Sequence, residues 1–236
     1  MNIEPIKKVT VTEQIMERIA QMITNGELRP GEKLPNERLL ADKFGVARGR
    51  IREALRALSL VGLITIKAGE GSYVNHREQP IPQETITWLF HHELHNLDEL
   101  YDARKLIESA VYLSAAKHAS DSQLAQLDDM IRILEATKTK KHVQVNEYVQ
   151  MLDQFDLYAG EICGNRIYNK LMQTIVLLRR ESISRLLTVP GCIESSIETR
   201  SRLLHALKTR DLDTVQSAID YFFTKAKWFY NNIIDA

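Results

Sequence analysis

The stretch "GVARGRIREALRAL" (45–58) carries four arginines: Arg48, Arg50, Arg52 and Arg56. Guanidinium forks pair bidentately with phosphate oxygens and with the O6/N7 edge of guanine, so a row of them on one helix is anion-recognition chemistry. Arg48, Arg52 and Arg56 stand at i, i+4 and i+8 on one face, with Arg50 at its flank. Ile51, Ala54, Leu55 and Leu58 supply a separate apolar face. Gly49 has no side chain and lets the helix start approach a surface closely. The charge is local. Residues 38–56 hold 6 Lys/Arg against 2 Asp/Glu, whereas the whole chain balances at 31 against 31. An ordinary solvated basic face has the same composition, so the neighbouring elements must decide between the two readings.

Those neighbours are informative. Residues 11–25 place Ile15, Ile19, Met22 and Ile23 at helical spacing, with Thr12 as the expected N-cap. "GELRPGEKLP" then reads as a Gly/Pro-punctuated loop. Asn36 is placed to cap the short helix "ERLLADKF", which Gly45 closes. After a turn through Val46 and Ala47 comes the arginine helix, closed by Gly62. Leu63–Lys67 and Ser72–Asn75 alternate apolar and polar around "AGEG" and predict two strands joined by a tight turn. Helix, short turn, helix and hairpin is the outline of a winged helix-turn-helix, whose second helix enters the major groove by its N-terminal turn. That order favours DNA binding over a solvated face.

The remaining residues read differently. "HREQPIPQET" carries two prolines among polar residues, and a linker is expected over 77–88. From 89 to 236 the pattern is helical throughout, and six amphipathic helices predict a bundle, with Ser120 and Asp211 as N-caps. The expected fold is mostly α: an N-terminal winged helix-turn-helix over 1–76 and a C-terminal all-α bundle. The two cysteines, Cys163 and Cys192, make no disulfide framework and point to a reducing compartment. No signal-peptide pattern and no run of 18 apolar residues is present, so a cytoplasmic protein is expected.

The first half resembles the DNA-binding domain of GntR-family transcription factors. "GELRPGEKLPNERLLADKFGVARGRIREALRALSLVGLITIKAGEGSYV" follows the family pattern G-x-L-x-P-G-x-x-L-P, then E-R-x-L-A, then G-V-[ST]-R-x-x-[VI]-R-E-A-L, then G-L-I-x-x-x-x-G-x-G-x-[FY]-V. The resemblance spans about 9–76 and implies that Arg38, Arg48 and Arg52 are the principal DNA contacts, Arg50 a base reader beside Gly49, and Gly69 the wing contact. Ala47 departs from the usual Ser or Thr, which removes a helix N-cap and a phosphate contact. Gly49 and Arg50 also depart from the common pairs, so the operator is expected to differ.

The second half resembles the FCD effector domain of the FadR subfamily, through "LYDARKLIESAVYLSAAKHAS", "FDLYAGEICGN" and "HALKTRDLDTVQSAI". Many such domains bind a divalent metal through an Asp and three His. The corresponding residues here are Leu152, Asp156, Arg200 and Phe222, and neither Arg nor Phe ligates a metal. No metal and no cofactor is therefore expected, although Asp153 with Asp156 leaves a weak hard-ion site conceivable. Arg104 and Arg200, meeting across the bundle, would suit a carboxylate or phosphate, with Asp156 and Asn165 taking hydroxyls. A buried Arg–Asp brace is the competing reading of the same residues. The resemblance implies a homodimeric regulator, commonly a repressor, that binds a short inverted repeat and answers to a small organic or sugar acid. The alternative classes are an enzyme using Asp153, Asp156 and His205 as acid and base, and a nonspecific architectural DNA binder. "HHELH" (His91, His92, His95) invites a zinc reading but lacks a further ligand at metal spacing, and "LLRRES" (Arg179, Arg180) could be a second basic element or hold an effector; solvated surface is the favoured reading of both.

Overall fold

Helix α1 (Val11–Thr24) starts from Thr10, not Thr12. The Thr10 hydroxyl accepts from the Glu13 amide while the Glu13 carboxylate accepts from the Thr10 amide, a reciprocal capping box. Thr12 lies inside the helix and donates to Glu53 Oε2 at 3.0 Å. Helix α2 (Glu37–Phe44) is capped by Asn36 and ends on Gly45 in the left-handed conformation. Helix α3 (Arg48–Leu60) begins after Ala47, which offers no side-chain cap. Strands β1 (Ile64–Lys67) and β2 (Gly71–Val74) pair antiparallel, from Ile64 opposite Val74 to Lys67 opposite Gly71.

The computed structural model describes residues 9–76, 81–92, 96–137 and 144–234. The loop "PGEKL" is more than a loop. Gly31 and Leu34 donate to the Val74 and Ser72 carbonyls, and Val74 donates to Glu32, so this segment runs along the edge of β2. An isolated two-stranded hairpin is marginal in water. This edge, and the burial of Ile64 and Val74 with Ile15, Ile19, Leu40, Ile51, Leu55 and Leu58, fix the hairpin to the helices.

Backbone contacts divide the chain into two units, Met1–Thr85 and Ile86–Ala236. Helix α4 (Gln83–Leu89) therefore straddles the division and occupies the second half of the stretch expected to be linker, running one residue past it. Pro82 opens it by accepting from the Thr85 amide, and the Thr85 hydroxyl bonds the Leu60 carbonyl. Residues 77–80 of that linker, and His95 of "HHELH", lie outside the described residues.

The second unit is helical: α5 (Leu97–His118), α6 (Asp121–Thr137), α7 (Val145–Ile162), α8 (Arg166–Leu178), α9 (Arg180–Leu186), α10 (Cys192–Thr209) and α11 (Leu212–Ile234). Ser120 and Asp211 cap α6 and α11 as expected. Where six helices are expected, α5 to α11 are seven, because the apolar pattern that follows Asn165 is divided between α8 and α9. The boundary falls at Arg179, which keeps helical dihedrals; its amide donates to the Ile175 carbonyl at 3.0 Å, and its own carbonyl accepts from the Ile183 amide and the Ser182 hydroxyl, both at 2.8 Å. Among the described residues no helix is long and apolar enough to cross a membrane.

Gly164, between α7 and α8, has φ +75, and a Cβ there would stand 2.8 Å from His118 Cγ. Gly164→Ala should lose about 1–2 kcal/mol from backbone strain alone, with the clash adding to it. Urea unfolding measures this, and an unchanged midpoint would contradict the packing described.

Candidate nucleic-acid interface and buried arginine cluster

Helix α3 buries Ile51, Ala54, Leu55 and Leu58 and leaves Arg48, Gly49, Arg50, Arg52 and Arg56 exposed. A Cβ on Gly49 would meet nothing within 4 Å, so the protein itself does not require glycine there and the space in front of the helix start is open. The arginines are held differently. Arg52 forks onto Glu37 of α2, Nε to Oε1 at 3.0 Å and Nη2 to Oε2 at 2.7 Å. The same carboxylate lies 4.0 Å from Arg48 Nη2. The hydrogen bond from Arg52 holds the Glu37 carboxyl below its ordinary value. Arg50 Nη1 bonds Glu53 Oε2 at 3.1 Å, the oxygen that also accepts from Thr12 of α1. Arg38 on α2 is exposed and has no carboxylate within 4.0 Å among the described residues. Gly69, with φ +75, forms the tip of the exposed hairpin turn. Exposed ion pairs contribute little to stability and exchange readily. Glu37 and Glu53 thus aim guanidiniums that a phosphate or base edge can take over.

The second unit holds its arginines inside. Arg104, Arg179 and Arg200 are at most 1% exposed, and Glu108, Asp153 and Asp156 at most 2%. Asp156 is the hub. It accepts from the Tyr112 hydroxyl at 2.5 Å, from Arg179 Nη2 at 2.6 Å, and from Arg200 Nη2 at 2.6 Å and Nε at 3.2 Å. Burial pushes the Asp156 carboxyl up, but Arg200 and Arg179 outweigh it and hold the group well below the usual carboxylate range. Burial, with the Asp156 and Glu108 charges, raises Tyr112 well above its ordinary value, so it stays a donor. Arg179 also reaches Asp153 Oδ1 at 3.0 Å, and Arg180 Nε holds the other Asp153 oxygen at 3.0 Å. Arg104 pairs with Glu108 at 2.8 Å and donates to the Tyr230 hydroxyl at 2.8 Å. Arg179 Nη1 stands 3.7 Å from Glu108, and neither it nor Nε has a hydrogen-bond partner.

Arg104 and Arg200 do meet across a cavity, together with Thr199, Lys225, Phe222 and Tyr230. Its free volume is about 30 Å³, room for one water. Asp156 is not free to take a ligand hydroxyl, because it neutralises Arg179 and Arg200. Asn165 is not part of this cluster: its Oδ1 accepts from the Ile167 and Tyr168 amides and caps α8. His205 is exposed on α10, away from the buried Asp153 and Asp156 of the enzyme alternative. The four positions at which the related domains carry ligands do not fit a cation. Leu152 is core, Phe222 stacks 5.1 Å from the Arg200 guanidinium, and Arg200 and Arg179 occupy the oxygens of Asp156. Asp153, the other carboxylate considered, is likewise taken by two guanidiniums.

Arg179, read from sequence as solvated, is fully buried. Its spacing shows why: Met172, Ile175 and Val176, the buried residues of α8, put position 179 on the same face. Glu108 and Tyr112 likewise continue the buried row through Tyr101, Arg104, Val111 and Ala115. Both cysteines are buried, and burial pushes the Cys192 thiol up to about 11.

The profile of the bacterial regulatory proteins of the gntR family matches residues 11–74, and that of the FCD domain matches 99–224. The HTH-type transcriptional regulator LutR of Bacillus subtilis (strain 168) is 35% identical over 162 residues, 69% of this chain and 72% of that protein. The Uxu operon regulator of Haemophilus influenzae is 32% identical over 177 residues, 74% of this chain and 62% of that protein. The solved structure of Streptococcus agalactiae GntR superposes with a TM-score of 0.69 at 22% identity, covering 92% of this chain and 98% of that one. That likeness concerns the fold.

Asp156→Asn strands two buried guanidiniums and should cost roughly 3–5 kcal/mol at neutral pH. Arg180→Met, which removes a half-exposed partner of Asp153, should cost clearly less; urea unfolding of the two variants compares them, and equal losses would contradict the hub. Because the Asp156 carboxyl is depressed in the folded state, its contribution is present above about pH 4 and is lost as pH falls below that. Unfolding followed from pH 7 to 2 should show this loss in wild type and not in Asp156→Asn.

Proposed function

This chain belongs to the GntR family of bacterial regulatory proteins, a DNA-binding transcriptional regulator with an FCD ligand-binding domain, and on that premise we propose that it is a cytoplasmic, non-catalytic, homodimeric repressor released by a small anionic metabolite. The observation that carries the DNA half is the exposed, carboxylate-aimed arginine row at the start of α3. Arg48, Arg50 and Arg52, beside the open Gly49 position, read base edges and phosphates. Arg38 adds a phosphate contact and Gly69 brings the wing onto the backbone. One such unit discriminates too little for gene-level specificity, and two copies on a short inverted repeat multiply it.

A dimer needs a self-complementary face. Leu106 on α5 and Ile167 on α8, 72% and 71% exposed on packed neighbouring helices, support one there. Asp98, Glu99 and Asp102 lie near the start of α5, and Lys117 at its end. Antiparallel pairing of two α5 helices would therefore set opposite charges against each other.

The effector reading rests on Arg104 and Arg200 in the helical unit, with Glu108 as the internal counter-ion of the first and Asp156 of the second. The metabolite acts by binding the two functional states of the dimer unequally.

On an operator selected from random duplexes, Arg48→Ala should weaken binding about tenfold or more, relax preference at one or two positions and lower the salt slope by about one. Helicity by circular dichroism should not change. Unaltered affinity would rule out this placement of α3. The paired change Leu106→Glu with Ile167→Glu should give a helical monomer by sedimentation and weak operator binding; a persistent dimer would place the interface elsewhere.

A further inference from the structure

We infer that Arg50 reads a guanine of the operator, and that Thr12 and Glu53 are the positioning residues that aim it. The inference rests on the placement of α3 in the major groove proposed above and names the base that one of its arginines takes. Guanine presents two acceptors to that groove, O6 and N7, and a guanidinium meets both only with two N–H donors on one edge. The arginines of α3 differ in which edge is open. Arg52 gives its Nε–Nη2 edge to Glu37. Arg50 gives a single nitrogen, Nη1, to Glu53 Oε2 at 3.1 Å. Among the described residues its Nε and Nη2 have no partner, so a complete edge stays open. Gly49 precedes it with nothing within 4 Å of a Cβ position, which leaves room for a base pair to come close.

The local charge favours a base over a phosphate. Glu53 offsets the Arg50 charge one to one and weakens its pull on the backbone. Guanine O6 and N7 carry only partial charge and depend on the direction of the N–H groups instead. Arg48 and Arg52 share the single carboxylate of Glu37, so that pair keeps a net positive charge for phosphates.

Direction needs an anchor. The Arg50 and Glu53 side chains are each 58% exposed, and an i,i+3 ion pair on a helix surface is weak by itself. The anchor is Thr12 of α1, only 8% exposed, whose hydroxyl donates to the same Glu53 oxygen at 3.0 Å. Its branched side chain has few χ1 states on a helix. Helix α1 is itself fixed to α3, since Ile15 and Ile19 share one core with Ile51 and Leu55. The oxygen that orients Arg50 is therefore set by a residue 41 positions earlier in the chain.

The test uses the full chain, an operator selected from random duplexes and the set of its single base-pair variants. Wild type should prefer guanine about tenfold or more at the position that Arg50 reads. Arg50→Ala should abolish that preference and keep the preferences at other positions. Thr12→Val keeps the branched shape without the hydroxyl, and should lower the guanine preference about threefold at that position alone. Thr12→Ser should restore it. Glu53→Ala releases Arg50 to a phosphate, so guanine preference should fall while the salt slope steepens by about one. A loss in Arg50→Ala spread evenly over all positions makes Arg50 a backbone contact and overturns the guanine reading. Full guanine preference in Thr12→Val, or a loss that Thr12→Ser does not restore, overturns the positioning role; a merely structural Thr12 moves the urea midpoint and not the base preference. Arg48→Ala separates the two levels. Unchanged affinity there overturns the placement of α3, whereas weakened binding there with no base-specific loss in Arg50→Ala overturns this inference alone.

Discussion

The helical unit depends on the neutralisation of three buried arginines by three buried carboxylates. Asp156 alone takes hydrogen bonds from α5 through Tyr112, from the α8–α9 turn through Arg179, and from α10 through Arg200. Asp153 adds a second bond from α7 to Arg179, and Arg104 joins α5 to α11 through Tyr230. Such a network is weak evidence for net stability, because desolvation consumes most of the Coulomb gain. Its consequence is conditional: every member needs its partners, so the helices must sit in one register for all of them to be satisfied at once.

The proposed effector reading has to meet the same constraint. A hydrocarbon core has one good packing and no place for an anion. A core of guanidiniums and carboxylates admits an anion only where that anion satisfies what it displaces. Arg179, with two unpartnered N–H groups at the turn into α9, is the member least satisfied by the protein alone. The guanidinium of Arg200 also explains why these positions do not suit a divalent ion. A fixed internal cation already holds Asp156, and it needs no metal supply.

Arginine does two opposite jobs in this chain, and burial separates them. Around α3 the forks are exposed and lightly paired, so Glu37 and Glu53 orient Arg52 and Arg50 without holding them against a phosphate. In the bundle the same side chain is at most 1% exposed, and its pairing is obligatory. Sequence periodicity already carried this distinction in part. Arg48, Arg52 and Arg56 fall off the apolar face of α3, whereas Arg179 falls on the apolar face of α8.

Local rules determined much of this protein from the sequence. Asn36, Gly45 and Gly62 bounded the helix pair, apolar spacing assigned the buried face of α3, and "AGEG" placed the hairpin turn, because capping and turn chemistry act within a few residues. The loss of an N-cap at Ala47 was legible for the same reason. What only the tertiary structure decided involves partners far apart in the chain. Glu32 and Leu34 became a strand edge because Val74 and Ser72 came alongside. Asn165 had the right chemistry for a ligand but was taken by the nearer α8 amides. Asp156 became a counter-ion because Arg179 and Arg200, 23 and 44 residues away, converge on it. A sequence shows which side chains are charged and which face they are on; which charge neutralises which, and how much room is left between them, depends on how the helices pack.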